Sequence, residues 1–195
     1  MMIDKINTII VSEVPESILL LKQVFETSDY KVIFEGKNLQ EQTGTWLIEP
    51  DLLIVIMDNI DQAAITQLKM INQHYPLPIV VFTNVGSDED IEHAVESGVT
   101  SYIVNGFAES RVIPILTAAR ARFKQQTKLL KQIGELQTTL VERKVIDRAK
   151  GLVMQQRQCT EDEAYKLLRT TAMAQNARMA VLAQNIIDTA SLLTK

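Results

Sequence analysis

Basic side chains recur at helical spacing between residues 143 and 173. At about 100° of rotation per residue, Arg143, Lys150 and Arg157 fall on one edge of a helix whose opposite side is apolar, and Lys144 and Arg148 fall on the other edge. Arginine and lysine side chains in this arrangement can bind phosphate groups. They are equally typical of an amphipathic hairpin whose charges only keep it soluble, and the pattern alone leaves both interpretations open.

The same stretch predicts two short helices joined by a tight turn. Gly151 lies between the two basic edges, and a glycine inside a helix costs about 1 kcal/mol relative to alanine, so it usually has a packing or close-approach reason. Thr160 and Glu163 have the spacing of a capping box, which predicts the start of the second helix. That helix places Ala164, Leu167, Leu168 and Ala172 inward, and Tyr165, Lys166 and Arg169 elsewhere.

The segment AKGLVMQQRQCTEDEAYKLLRTTAM, residues 149–173, resembles the signature of the ANTAR domain, the RNA-binding module of transcription antiterminators. The coinciding positions are the Ala-Lys-Gly core at 149–151, Leu152, Met154, the Glu-Asp-Glu-Ala turn at 161–164, Leu-Leu-Arg at 167–169 and Ala-Met at 172–173. The resemblance implies an ANTAR RNA-binding domain over residues 143–193, closed by a third helix for which Asn176 is the expected N-cap.

Proteins read RNA sequence mainly in single-stranded loops, where bases are splayed out, so we expect hairpin loops as the target of this module. The predicted RNA-binding residues are Arg143, Lys144, Arg148, Lys150, Gly151, Arg157, Tyr165 and Arg169. The basic side chains would contact phosphate or stack on bases, and Gly151 would let the loop backbone approach the helix. Tyr165 would either stack on a base or simply pack against its neighbours.

Charge divides the chain into two unlike parts. Residues 1–110 contain 5 Lys and Arg against 17 Asp and Glu, whereas residues 111–195 contain 15 against 7, so the parts carry −12 and +8 of the net charge of −4. A basic part favours a polyanionic partner through counterion release, and the acidic part argues against nucleic acid touching it. No apolar run approaches the ~20 residues of a membrane span, and Cys159 is the only cysteine, so we expect a cytoplasmic protein without membrane contact.

The first 122 residues alternate short apolar runs with helical patterns. Strands are predicted at residues 7–12, 31–35, 52–57, 79–83 and 101–104, and helices at 15–27, 62–75, from 88 to Gly98, and from near Glu109. A polar segment that includes Gly44 and Trp46 follows the second strand. Five strands alternating with helices predict a doubly wound α/β sheet.

The spacing and order of these elements resemble the response-regulator receiver domain, of flavodoxin-like (βα)5 topology, over residues 5–122. The resemblance places the acidic pair of a phosphorylation site at Ser12 and Glu13, the acceptor at Ile56, the hydroxyl at Thr83 and the lysine at Asn105. Isoleucine cannot take a phosphoryl group, and Asp58 lies two places after the acceptor position. We therefore predict a pseudo-receiver that is not phosphorylated in the usual way, with Asp58 as the alternative acceptor.

Residues 123–142 form a predicted helical linker. Phe123, Leu130, Ile133, Leu136 and Leu140 give a partial heptad pattern that is too short and imperfect for a definite coiled coil. The segment is either a connecting helix packed on its own domains or the seam of a homodimer, and the family resemblance favours the seam. The two histidines, His74 and His93, lie in separate helices, and no nucleophile or phosphate-loop motif occurs, so we predict no metal site, no cofactor and no enzymatic activity.

The degenerate receiver, the VNGF segment and RVIPILTAARARF most resemble the NasT type of nitrate-responsive regulator. That resemblance implies binding to tandem hairpins in a leader mRNA, which prevents termination, and control by a sensor protein of the NasS type. Two alternatives stay open: a DNA-binding response regulator, which shares the order of a receiver followed by basic helices, and a signalling interaction module that binds no nucleic acid.

Overall fold

The computed structural model describes residues 5–39, 48–105 and 107–193, with the backbone alone at residues 192 and 193. The chain divides into two compact units, Met1–Thr127 and Lys128–Lys195. The polar segment predicted around Gly44 and Trp46 lies outside the described residues.

The first unit is built on a parallel sheet. In chain order its elements are β1 (Ile6–Ser12), α1 (Pro15–Glu26), β2 (Tyr30–Gly36), β3 (Leu52–Met57), α2 (Gln62–His74), β4 (Ile79–Thr83), α3 (Asp88–Glu96), β5 (Ser101–Val104) and the start of α4 (Glu109–Arg157). The strand order is β2-β1-β3-β4-β5, and all four strand pairs are parallel. This is the flavodoxin-like order of a doubly wound sheet, so the predicted fold class is confirmed.

β3 is apolar throughout, and β4 is apolar except for Thr83 at its end, because helices cover both faces of the sheet. Every residue of β3 and β4 is buried. Successive side chains of a strand point to opposite faces, so Leu53 and Val55 join one core cluster while Leu52 and Ile54 join the other. The first turns of α4 complete the second cluster through Val112, Leu116 and Ala119. Parallel register aligns the carboxyl ends of the strands, where a receiver would carry its site.

The second unit contains the remainder of α4 with α5 (Glu161–Ala174) and α6 (Met179–Leu193). The helices share one apolar core, formed by Ala149, Val153, Ala164, Leu168, Ala172, Leu182, Ala183 and Ile187. The alanines among them let the helices approach closely, and the larger side chains fill the space between. No helix in the described part of the chain combines the length and apolarity needed to cross a bilayer.

Three sequence-based expectations need correction. The first helix of the predicted hairpin is the end of one continuous helix, Glu109–Arg157, because neither Gly134 nor any later residue breaks the pattern. Asn176 does not cap α6: it follows α5 with φ of 49°, a left-handed conformation that asparagine tolerates, and α6 begins at Met179. Leu167, expected inward, is 43% exposed, because α5 buries only the stripe of Ala164, Leu168 and Ala172.

Candidate nucleic-acid interface

The last turns of α4 present the predicted basic residues to solvent. Ala149 and Val153 are buried against α5 and α6, so the opposite side of the helix faces outward. Six of the predicted side chains are exposed there or on α5: Arg143, Lys144, Arg148, Arg157, Tyr165 and Arg169. Gly151 is exposed as well, and Lys150 is the exception. The structure thus brings most of the predicted set onto the outer surface of one small helical unit.

A tight turn fixes α5 against the end of α4. Gln158 adopts φ of 52° where α4 ends. Thr160 and Glu163 then form the predicted capping box: the Glu163 N–H donates to Thr160 Oγ1 at 3.4 Å, and the Thr160 N–H donates to Glu163 Oε2 at 2.9 Å. These hydrogen bonds with Thr160 hold the pKa of the Glu163 carboxyl below its usual value. The turn sets where the first residues of α5 lie relative to Lys150.

Lys150 is held by two carboxylates. Its Nζ donates to Asp147 Oδ1, one turn earlier on α4, and to Glu161 Oε1, the first residue of α5, each at 2.7 Å. The Lys150 side chain is only 14% exposed. The hydrogen bond to Asp147, followed by the one to Glu161, raises the pKa of Lys150. The structure therefore departs from the expectation that Lys150 is a free cation on the basic edge.

The two basic edges of α4 differ in how their charges are compensated. On the edge that carries Arg143, Lys150 and Arg157, Lys150 is paired with the carboxylates of Asp147 and Glu161, and both Lys150 and Arg143 lower the pKa of Asp147. Arg143 and Arg157 are exposed and form no ion pair with a carboxylate among the described residues. On the other edge, Lys144 and Arg148 are exposed, and neither forms an ion pair with a carboxylate anywhere in residues 5–39, 48–105 or 107–193. A phosphate approaching the unit meets uncompensated positive charge on the second edge.

No packing reason accounts for Gly151. A Cβ placed on this residue would meet no atom within 4 Å, so the fold itself leaves room for a methyl group. The same holds for Gly134, earlier on α4. Since Gly151 lies in the segment with the exposed Lys144 and Arg148, the absence of a side chain leaves the helix backbone accessible beside two cations.

The outer surface of α5 adds an aromatic side chain to the interface. Tyr165, Arg169 and Met173 follow one another at intervals of four residues and so share one side of the helix. Tyr165 is 44% exposed and Met173 is 70% exposed. The Tyr165 ring is thus partly covered by its neighbours and partly available to a ligand, which fits either of the two roles considered for it.

Comparison with known proteins places these features in a family. The ANTAR domain model matches residues 134–187, a range that contains the whole predicted RNA-binding set. Over 175 residues the chain is 30% identical to the transcriptional regulatory protein PdtaR of Mycobacterium tuberculosis, with 87% of this chain and 83% of PdtaR aligned. This chain belongs to the ANTAR-domain transcriptional regulatory proteins.

The receiver fold of this ANTAR protein is also shared with solved structures. A response regulator from Thermotoga maritima aligns with a TM-score of 0.54 and 17% identity, covering 60% of this chain and 98% of the regulator. The signal receiver domain of a modulated diguanylate cyclase from Desulfovibrio desulfuricans aligns with a TM-score of 0.54 and 18% identity, covering 63% and 99%. At such identities the likeness shows the fold alone.

In this ANTAR protein the residues predicted to occupy the positions of a receiver's phosphorylation site lie at the carboxyl edge of the sheet. Ser12 pairs with Ile56 across β1 and β3, and the Glu13 N–H donates to the Ile56 carbonyl. Thr83 ends β4, and the Asn105 N–H donates to its carbonyl. Ile56 is buried in the apolar core. The acceptor position is therefore occupied by a core side chain.

Ser12, Thr83 and Asn84 at that edge donate hydrogen bonds to neighbouring groups of the protein. The Ser12 hydroxyl donates to the Val14 carbonyl at 3.0 Å. The Thr83 hydroxyl lies 2.9 Å from the carbonyls of both Asp58 and Val85, and because it has a single proton it donates to one of them at a time. The Asn84 amide donates to the Asp58 carboxylate at 2.8 Å. This network fastens the loop after β3 to the loop after β4 around Asp58.

The partners of two predicted site residues were not foreseen from the sequence: Asp147 and Glu161 bind Lys150, and Asn84 binds Asp58. The three-residue spacing of Asp147 and Lys150 on one helix was an available signal, whereas the Glu161 and Asn84 contacts depend on the tertiary fold. Among the described residues, no group of three His, Cys, Asp or Glu side chains is arranged to hold a metal ion.

Proposed function

We propose that this protein is an RNA-binding transcription antiterminator whose ANTAR module recognises hairpin loops in a leader mRNA. The observation that carries the proposal is the coincidence of two findings on one segment. The ANTAR match covers residues 134–187, and the uncompensated, exposed cations Lys144 and Arg148 lie within it. Phosphate contacts supply affinity for a polyanion, and exposed Tyr165 offers a ring on which a loop base can stack.

Antitermination follows from binding to a folded hairpin. A protein that binds the hairpin and not the unfolded strand stabilises it by RT ln(1 + [L]/Kd), which is about 2.7 kcal/mol at a concentration one hundred times the Kd. If the stabilised hairpins and the terminator use overlapping RNA, this stabilisation prevents the terminator from forming. The protein needs no chemical step for this function, only differential affinity for one RNA fold.

The regulation we propose is release from a sensor protein, as in a NasT-type regulator controlled by a NasS-type sensor in nitrate or nitrite assimilation. The predicted acceptor position is the buried Ile56, and Thr83 and Asn84 nearby are bonded to Asp58, which supports control by a partner rather than by phosphorylation. Such a regulator acts in the cytoplasm. We further propose the limits 5–122 for the pseudo-receiver, 123–142 for the linker and 143–193 for the ANTAR domain.

Two hairpins imply two ANTAR modules, so we propose that the protein pairs as a homodimer on RNA. In the predicted linker, Leu129, Ile133, Leu136 and Leu140 follow the alternating spacing of four and three residues that forms a coiled-coil seam, and each is at least half exposed. The seam covers only about two heptads, which supports a weak contact that forms when RNA brings two chains together.

The experiment that tests the function is a binding titration of the full chain by gel shift and fluorescence anisotropy. The ligands are a two-hairpin leader RNA, a single hairpin and a duplex DNA of equal length, each at two salt concentrations. We expect preference for the two-hairpin RNA, with affinity that falls as salt rises. Arg148→Met is expected to weaken binding, and Lys131→Met, an equal charge change on α4 outside residues 143–173, serves as its matched control.

Each outcome selects one function. Equal affinity for duplex DNA would favour a DNA-binding response regulator and contradict the proposal. An absence of nucleic-acid binding by the wild-type chain would leave a signalling interaction module. Equal losses in Arg148→Met and Lys131→Met would indicate that net charge alone governs binding, which would contradict the assignment of the site.

A further inference from the structure

Lys150 was predicted to bind phosphate, yet its ammonium group forms ion pairs within the protein. Its ammonium group lies 2.7 Å from a carboxylate oxygen of Asp147 and 2.7 Å from one of Glu161. One cation between two carboxylates leaves the cluster with a net charge of −1. A phosphate group that approached Lys150 would meet two anions that are 53% and 68% exposed, while the lysine itself is 14% exposed. These two carboxylates repel a phosphate at Lys150 itself.

The position of Glu161 gives this contact a structural role. Asp147 and Lys150 belong to α4, whereas Glu161 is the first residue of α5, so the second ion pair crosses the turn between the helices. That turn also contains Gln158, in a left-handed conformation, and the Thr160 cap. Lys150 therefore helps to set the position of α5, which carries Tyr165 and Arg169 on its outer side.

The edge of α4 that carries Lys144 and Arg148 is exposed and, within the residues that the structure describes, has no carboxylate paired with its cations. Lys144 and Arg148 are one helical turn apart, both exposed, and in the described part of the chain neither is joined to a carboxylate. Gly151 lies seven residues after Lys144, about 20° from it around the helix, so the row of side chains ends at bare backbone. Gln155 follows one turn later and is exposed, with an amide that can both donate and accept.

We propose that the RNA backbone follows the edge of α4 that carries Lys144 and Arg148 and passes Gly151 beside it, and that Lys150 is a positioning residue that ties α4 to α5. This inference rests on the proposed function, because it chooses between two edges of the same surface. On the edge of Lys144 and Arg148 the strand meets two unpaired cations and an open stretch of helix. On the other edge, between Arg143 and Arg157, it meets the carboxylates of Asp147 and Glu161 around Lys150. Lys144 and Arg148 then bind phosphate, whereas Lys150 positions α5, a distinction that the helical projection alone does not make.

The test compares Lys150→Met with Arg148→Met in the full chain, since both changes remove one positive charge from the same helix and keep an aliphatic stem. Thermal unfolding is followed by circular dichroism, and affinity for the two-hairpin leader RNA is measured at several salt concentrations. For Arg148→Met we expect an unchanged Tm and a salt slope shallower by about 0.7, the change for one lost phosphate contact on a single strand. For Lys150→Met we expect a lower Tm and an unchanged salt slope.

A second pair of variants tests the tie without removing a cation. Glu161→Gln and Asp162→Asn each neutralise one exposed carboxylate in the first turn of α5, so both lose a similar favourable interaction with the helix dipole. We expect Glu161→Gln to lower Tm more than Asp162→Asn, because only Glu161 bonds to Lys150. Lys150→Arg, which keeps the charge and the donors, is expected to restore most of the Tm lost in Lys150→Met.

The results separate the inference from the function on which it rests. If Lys150→Met reduces the salt slope as much as Arg148→Met does and keeps its Tm, Lys150 is a phosphate ligand and the inference is wrong. Equal Tm values for Glu161→Gln and Asp162→Asn would contradict the tie. If the wild-type chain binds no RNA, the proposed function and the RNA path both fail, while the Tm comparison still decides whether Lys150 positions α5.

Discussion

Replacing Gly151 by alanine should change stability and RNA affinity in opposite directions. A Cβ at this position meets no atom within 4 Å, so the free protein accommodates the methyl group without strain. Alanine is favoured over glycine in a helix interior by about 0.8–1 kcal/mol. The helical unit Lys128–Lys195 should therefore gain about that free energy of unfolding, a rise in Tm of roughly 4–8 °C for a domain of this size.

The effect on RNA comes from the same methyl group. If the loop backbone approaches α4 at Gly151, the added carbon occupies the space that the ligand needs, and we expect binding to weaken by at least about tenfold, equivalent to ~1.4 kcal/mol. Gly134→Ala is the matched control, because a Cβ there also meets no atom within 4 Å. It should stabilise the helix to a similar extent and leave the affinity for RNA unchanged.

The assay combines thermal unfolding by circular dichroism with anisotropy titrations of the same protein samples against the two-hairpin RNA. A stabilised Gly151→Ala variant that binds RNA as tightly as the wild type would refute the close-approach argument, since the methyl group would then be harmless in the complex. A destabilised variant would refute the premise that the fold leaves this position open. Equal weakening by Gly134→Ala would locate the effect in helix stiffness or pairing rather than at the interface.

Three further predictions concern the turn after α4, the cap of α5 and the receiver edge. Gln158→Gly should raise the free energy of unfolding by roughly 0.5–1 kcal/mol in a denaturant titration. Residue 158 has φ of 52°, and this left-handed conformation costs a residue with a side chain about 1–2 kcal/mol, which the greater unfolded-state entropy of glycine partly offsets. A loss of stability would contradict this prediction. The pKa of Glu163 is lowered in the folded state, so the stabilisation by its carboxylate is complete at a pH above the usual pKa near 4.5 and is lost as the pH falls through the lower folded pKa. Across that pH range the Tm should fall less steeply in Glu163→Gln than in the wild type. Parallel curves of Tm against pH would contradict this prediction. Incubation with acetyl phosphate should leave the intact mass of the protein unchanged, because Ile56 occupies the predicted acceptor position and Asn84 donates to the Asp58 carboxylate. A phosphorylated species that disappears in Asp58→Asn would show that Asp58 acts as the acceptor in place of Ile56.

The fold was predictable where a local pattern has only one compact solution. The apolar runs at 52–57 and 79–82 form buried parallel strands, because a short strand covered on both faces buries six or four consecutive apolar side chains. The capping box of Thr160 and Glu163 is a contact over three residues, so the sequence contains all of it. In each case the interaction that decides the structure lies within the segment itself.

The site was only partly predictable, because a helical projection gives the direction of a side chain but not its neighbour. Lys150 and Arg143 project to the same edge of α4, yet only Lys150 forms an ion pair with Glu161, which belongs to α5 and follows the turn between the two helices. Likewise Asn176 is a good N-cap by residue type, and its left-handed conformation after α5 follows from where the chain must reverse. These contacts depend on the angle between helices, which no pattern within one helix specifies.

The two functional regions differ in what they leave open to a ligand. At the receiver edge, Ser12, Thr83 and Asn84 each donate to a group of the protein itself, so these groups need no ligand to satisfy them. On α4, Gly151 has no neighbour that requires it, although it weakens the helix by about 1 kcal/mol. The RNA contact proposed above would account for an unfavourable residue that has no structural reason and lies beside exposed cations. On that proposal the ligand binds the helical module, whereas the receiver edge holds its loops in place.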